Sequence, residues 1–290
     1  MTLIRAYVDL MKLRVVELLI ITTLPAMVLA EKGLPSFGLV AATLIGGTLA
    51  AGASNAFNMV IEADTDKLMA RTSKRPLVVG TVTRRQALIF ASLIGILSLV
   101  IFEIFTTHLA TLLTALAIFY YVVIYTIILK PNTSQNIVWG GAAGCMPVLI
   151  GWAAVTGSLT WVPVAFFMVV FFWTPPHFWA LAIKYKDDYA AAGIPMLPVQ
   201  EPPAEVARQI ILYSWAMVIV SLVLIPVADM NWLYSASAIL SGAVFLYEAY
   251  ALRSRVRKDE ADLKPMKLFH WSISYLAILF LAVGIDPFLS

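Results

Sequence analysis

The apolar positions of this chain neither alternate nor keep to one helical face. They form long unbroken stretches separated by short polar ones. A helix crossing a bilayer needs about 20 mostly apolar residues in succession. Stretches of that kind recur at roughly 15–30, 37–59, 86–106, 109–129, 136–155, 161–183, 207–228, 231–251 and 268–286. The expected fold class is therefore all-α, a polytopic membrane helical bundle of about nine transmembrane helices forming a single integral-membrane domain over residues 1–290. The first stretch is long for the core of a signal peptide and lacks a clear small-residue cleavage site, so it reads as a retained span.

Charge turns the pattern into a topology. Only 13% of the 290 residues are charged and 61% are hydrophobic, against about 25% charged in a soluble domain. Arg5, Lys12 and Arg14 precede the first span; Lys67, Arg71, Lys74, Arg75, Arg84 and Arg85 follow the second. Lys130 follows the fourth, Lys184, Lys186 and Arg208 the sixth, and six further cations from Arg253 to Lys267 the eighth. Only Lys32, of 20 Lys and Arg, falls on the opposite side. The positive-inside rule then puts the N-terminus and the even-numbered connections in the cytoplasm. The opposite connections, such as "TGSLT" and "ADMN", are short and nearly uncharged, so the functional apparatus is expected on the cytoplasmic side. The net charge of +3 belongs to membrane flanks, which argues against a nucleic-acid partner. Cys145 is the single cysteine and reads as packing.

The stretch "NMVIEADTDKLMARTSKRP" carries the first candidate chemistry. Asn58, Glu62 and Asp66 are spaced by four and would share a helix face about 80° wide, with Asn55 on the same fan. Asn55 and Asn58 lie inside an apolar run, where an amide needs a polar partner. Two carboxylates and an amide carbonyl suit Mg²⁺, a hard cation that shares its coordination with substrate phosphate; zinc would call for His or Cys. Arg71 and Arg75 follow in the same loop, with Lys130 arriving from the next connection. Acids alone would suit a divalent-cation transporter. Acids with convergent bases point to a diphosphate bridged by metal.

A second polar cluster, "FFWTPPHFWALAIKYKDDYAAAGIPMLPV", ends the sixth stretch. Asp187 and Asp188 would face the first acids across one cavity and hold a second Mg²⁺. His177 follows a proline pair inside the span, and His270 opens the ninth stretch at the same surface. Histidine within a span is a functional candidate, although packing is the other reading. Trp173, Phe178 and Trp179 could line a pocket for a flat ligand.

From "MKLRVVELLIITTLPAMVLA" to "LFHWSISYLAILFLAVGIDPF" the chain resembles the UbiA-type intramembrane prenyltransferase superfamily, and within it the protohaem IX farnesyltransferases. Asn58, Glu62 and Asp66 match the first motif of the superfamily. "MARTSKRPLVVGTV", "YTIILKPNTSQNIVWGGAAGCMPVLIGWAAVTG" and "PHFWALAIKYKDDYAAAGIPMLP" resemble segments of the haem subfamily. Two departures stand out: many members have Asp where this chain has Glu62, and Ala191 and Ala192 stand four residues after Asp187 and Asp188.

The resemblance implies a UbiA-type fold and Mg²⁺-assisted transfer of a farnesyl group from farnesyl diphosphate to a vinyl group of protohaem IX. Asn58, Glu62, Asp66, Asp187 and Asp188 would hold metal. Arg71, Arg75, Lys130 and Asn55 would bind diphosphate, Tyr125 would reach the ester oxygen, and His177, then His270, would contact haem. A bacterial inner membrane is the expected location. Haem A synthase or a terminal-oxidase assembly would be downstream partners. A UbiA-type transferase acting on a quinone precursor or another macrocycle is the alternative in the same class; a transporter or a haem-handling protein without chemistry are alternatives outside it.

Overall fold

A computed structural model of the chain describes residues 2–13 and 16–289, and among them every regular element is helical. The sequence-predicted cation Arg14 lies outside the described residues. A short amphipathic helix α1 (Leu3–Met11) precedes α2 (Val16–Glu31) and α3 (Phe37–Ile61). The spans α4 (Arg84–Phe105), α5 (His108–Asn132), α6 (Asn136–Thr156) and α7 (Trp161–Lys184) follow. Two short helices, α8 (Lys186–Ala191) and α9 (Leu197–Gln200), lead into α10 (Pro203–Val227), α11 (Trp232–Arg257) and α12 (Pro265–Ile285).

Eight helices among the described residues are long and apolar enough to cross a membrane, and of the nine stretches expected from the sequence only α2 falls short. The expected ninth span is thus present as a shorter element. Its sixteen residues rise about 24 Å, less than the roughly 30 Å of a hydrocarbon core. The reason lies in α1. Asn55 Nδ2 donates to the Met11 carbonyl at 3.0 Å, and Lys12 Nζ donates to Asn58 Oδ1 at 3.0 Å. The chain before α2 is therefore already level with the last two turns of α3, and α2 starts below the polar end of the bundle.

Local sequence sets the helix starts. Ser36 and Thr107 accept bonds from the backbone N–H groups of Leu39 and Ala110, and Thr83 forms a capping box with Gln86, satisfying donors that have no partner inside the helix. Asp286, buried, accepts from the N–H groups of Asn231 and Tyr234 at 2.7 and 3.2 Å and so caps α11 from the far end of the chain. Phe37, Trp161 and Trp232 stand 87%, 80% and 71% exposed at the starts of α3, α7 and α11, all at the end opposite the cation-rich loops. Exposed aromatics at that level match a membrane-interface belt.

The first helices pack as α3 on α4 and α1, the later ones as α7 on α10 and α12, and α2 joins the two groups by lying against α6 and α12. Small residues allow the approach, as expected where lipid supplies no hydrophobic drive between helices. A Cβ on Gly151 would stand 2.8 Å from Thr23 Cγ2 and 2.9 Å from the Thr23 carbonyl oxygen. Polar side chains pin the later helices: Ser221 Oγ lies 2.6 Å from Tyr275 Oη, and Trp173 Nε1 donates to the Ser272 carbonyl at 2.7 Å.

Gly151→Val is expected to push α2 from α6 and to cost about 1–3 kcal/mol, read as a lowered melting temperature in detergent. Gly95→Ala, whose new methyl would meet only Ala53 at 3.4 Å, should leave the melt unchanged or raise it slightly.

Candidate active site

A cavity of about 400 Å³ opens between α2, α3, α5, α6 and α7, a size typical of sites for one small ligand. Its mouth is polar: Lys12, Asn58, Glu62, Arg71, Arg75 and Lys130 line it. A wider groove of about 690 Å³ lies among α7, α10, α11 and α12. It is rimmed by Lys184, Lys186, Lys264 and Lys267 with Asp262 as its one acid. Lacking any amide–carboxylate set, it is not the candidate centre.

The fan of polar residues on α3 survives in altered form. The α-helix ends at Ile61, Glu62 caps it, and a 3₁₀ turn carries Thr65–Leu68. Backbone bonds from Glu62 N to Asn58 O at 2.9 Å and from Asp66 N to Glu62 O at 2.8 Å keep the four-residue rhythm across the break. Asn55, Asn58 and Glu62 line the cavity; Asp66 does not. It sits just behind, 1% exposed, with Oδ2 accepting from Arg75 Nη1 at 2.5 Å. Asp64 points away from the cavity, and its exposed carboxylate is held down to about 2 by Arg84 and Lys67.

Lys130 reaches the mouth because α5 changes pitch. From Tyr120 to Leu129 it is a π-helix, with Thr126 Oγ1 bonded to the Tyr121 carbonyl and Lys130 N to the Tyr125 carbonyl. At about 100° per residue the step from Tyr121 to Lys130 would end on the far face of a helix. With the wider turn, about 80° per residue, it returns to the starting face. Tyr121, Tyr125 and Lys130 all line the cavity, and Lys130 forms an ion pair with Glu62. Thr126 accepts from Asn58 Nδ2 at 3.2 Å, and Tyr121 donates to Asn55 Oδ1 at 3.4 Å. Gly140 makes room for this arrangement, since any Cβ there would run into the Tyr125 ring.

Three further bases converge. Arg71 donates to Tyr189 Oη at 3.4 Å and lies 5.7 and 5.8 Å from the ring centres of Tyr189 and Tyr185, a cation–π arrangement. Arg75 pairs with Asp66. Lys12 is pulled down to about 7, by burial first and then by repulsion from Arg75. Cations crowded to that extent favour an anion among them.

The second cluster needs correcting. Asp187 is exposed and Asp188 half-exposed, and neither lines the cavity; the same short helix turns Tyr189 inward instead. His177 is buried, but its ring is stacked on Trp173 and Phe269 at 4.2 and 4.5 Å, with Nδ1 2.6 Å from Ser272 Oγ. It packs α7 against α12 and does not reach the cavity. His270 is exposed and also outside it. Trp173, Thr174 and Phe178 line the cavity, while the His177 ring is held between Trp173 and Phe269 and by Ser272.

The model of the UbiA prenyltransferase family matches residues 19–273. Protoheme IX farnesyltransferase of Streptomyces avermitilis is 53% identical over 99% of this chain and 94% of its own length. That of Frankia alni is 56% identical over 97% of each. The chain belongs to the UbiA prenyltransferase family. Solved structures share the fold: a digeranylgeranylglyceryl phosphate synthase superposes with a TM-score of 0.80 at 15% identity over all of both chains. A UbiA homologue from Archaeoglobus fulgidus, bound to DMAPP and Mg²⁺, gives 0.72 at 19% identity over 96% and 99%.

For a UbiA prenyltransferase the mouth has a suitable donor set for a hard cation. Asn58 Oδ1, Glu62 and Asp66 offer oxygen only, and Asp66 Oδ1 is buried with no hydrogen-bond partner, an unmet acceptor of the kind a cation would satisfy. No cluster of three or more His, Cys, Asp or Glu exists among the described residues, so a cation here would have to share its coordination with a ligand. Sequence reasoning missed Lys12, Tyr121, Thr126 and Tyr189. In the sequence Lys12 reads only as a topological cation, and the π-turn that aligns the next two has no sequence signal.

Arg75→Ala should leave Asp66 buried without its cation and cost about 3–5 kcal/mol, visible as a lowered melting temperature that Asp66→Asn in the same chain partly restores. His177→Ala should lower stability through lost stacking and leave the absorption spectrum of added haem unchanged; a shifted Soret band would return the imidazole to the site.

Proposed function

We propose that this chain transfers the farnesyl group of farnesyl diphosphate to a vinyl group of protohaem IX, releasing diphosphate and adding water to give haem O. The observation that carries the reading is the cavity's polarity: a mouth of interleaved oxygen donors and bases above a slot of small and apolar side chains. An allylic diphosphate has the same division, with a charged head and a greasy tail. The acceptor is supported by relatives at 53–56% identity that are named protoheme IX farnesyltransferases.

Arg71, Arg75, Lys12 and Lys130 would neutralise the diphosphate, the arginines by paired N–H donors. Asn58, Glu62 and Asp66 would hold Mg²⁺, which when bound supplies Lewis-acid charge to the leaving oxygens; a UbiA homologue carrying DMAPP and Mg²⁺ supports that choice. Asn55 orients Tyr121, and Tyr125 donates toward the ester oxygen. As the C1–O bond breaks, its electron pair leaves with diphosphate. The vinyl carbon attacks the allylic cation. The porphyrin-conjugated cation that results takes hydroxide from water, and a proton goes to solvent. Trp173 and Phe178 offer the acceptor flat aromatic surface. The one-sided distribution of cations in the sequence supports a cytoplasmic mouth in a bacterial inner membrane.

Purified protein incubated with haem, farnesyl diphosphate and Mg²⁺ should yield a porphyrin heavier by one farnesyl group and one water, read by mass spectrometry. Prenylation of an aromatic acid with haem left untouched would support a quinone-precursor acceptor instead. Asp66→Asn should lower turnover by about 10²–10³-fold while haem binding persists; full activity in that variant would remove the metal-holding role.

A further inference from the structure

The apolar part of the cavity has a defined depth. One face of α3 lines it from Glu62 through Asn58, Ser54 and Ala51 to Gly47 and Thr43. Twelve residues separate Asn58 from Gly46, the level of the Phe102 ring, a descent of about 18 Å, and three more lead to Thr43. The slot ends on Thr43, on Phe102 from α4 and on Thr114 from α5, all of which are buried inside the bundle. The floor is therefore closed by protein and does not open to lipid.

Phe102 cannot swing clear. Its ring sits against α3 where Gly46 leaves space, since a Cβ there would come 2.8 Å from Phe102 Cε2. Ser98 Oγ donates to the Gly46 carbonyl at 2.7 Å and fixes α4 at that spot. Ala110, Leu113, Met146 and Ile150 pack around the ring. The floor is also dry in character: Thr43 and Thr114 spend their hydroxyls on the carbonyls of Leu39 and Ala110 at 2.8 Å each, so no unmet polar group faces the slot.

Resting on the farnesyl-transfer reading, we infer that Phe102, seated beside Thr43 and Thr114, is the stop that sets prenyl length, admitting three isoprene units and rejecting four. With the diphosphate at the level of Asn58 and Glu62, three units extend roughly 15 Å on standard bond lengths and end just short of the Phe102 ring, which lies about 18 Å below Asn58 at the level of Gly46. A fourth unit adds roughly 5 Å and meets the ring. An overlong tail must then displace a close-packed side chain or lift the diphosphate out of its bases, and either raises the barrier.

The test compares kcat/KM for geranyl, farnesyl and geranylgeranyl diphosphates with haem as acceptor, using the full chain in nanodiscs. The unmodified protein should prefer farnesyl over geranylgeranyl by at least about tenfold, within what pocket-length discrimination delivers. Phe102→Ala should raise the geranylgeranyl-to-farnesyl ratio about tenfold, with inhibition by inorganic diphosphate unchanged because the mouth is untouched. Should that variant fold poorly, Ala51→Phe gives the opposite arm: a ring halfway down the slot should lower farnesyl use about tenfold and spare geranyl. Equal use of the two longer substrates by the unmodified protein, or an unmoved ratio in either folded variant, overturns the stop while leaving the transfer reading intact. No turnover of any of the three with haem removes the transfer reading, and the stop with it.

Discussion

Two carboxylates held where a mostly apolar helix bundle meets its polar end must find positive charge or pay a large desolvation cost. Glu62 finds Lys130, and Asp66 finds Arg75. Much of the site's architecture follows from these pairings. α5 widens to a π-helix over the turns that bring Lys130 across, and the loop after α3 folds back so that Arg75 covers Asp66. The same bases crowd one another and Lys12. Acids and bases in that proximity suit a substrate that is itself an anion carried with a cation.

α3 joins this electrostatic mouth to the rest of the enzyme. Its lining face reads Thr43, Gly47, Ala51, Ser54, Asn58 and Glu62 from floor to mouth, a gradient from small and apolar to amide and acid within one helix. On the proposed reading, the head and tail of an allylic diphosphate would meet one rigid element, which would fix their separation. The solved relatives below 20% identity show that the fold is retained when most side chains differ.

Much of the architecture was legible in the linear pattern. Long apolar stretches gave the helices, and the cation bias grouped the polar loops at one end. The four-residue spacing of Asn58, Glu62 and Asp66 anticipated two cavity-lining groups and a third just behind them. Less legible were features set by contacts between distant segments. His177 looked like a ligand because a histidine in a span needs a partner, and it has one in Ser272. Asp187 and Asp188 repeated the look of the first cluster, but Tyr189 is the residue their helix turns inward. Lys12 looked like a boundary marker because nothing in "LMKLRV" says that the chain before α2 dips to the level of Asn58.

The sequence by itself determined that the chain crosses a membrane as helices and that its polar residues gather at one end. These depend on composition and local spacing, which water and lipid read without regard to partners. The tertiary structure alone decided which polar residues share the cavity, how short α2 is, and where the slot stops. Those outcomes hang on helix rotation, a local change of pitch and the contact of Phe102 with Gly46, and such quantities arise only when distant segments pack together.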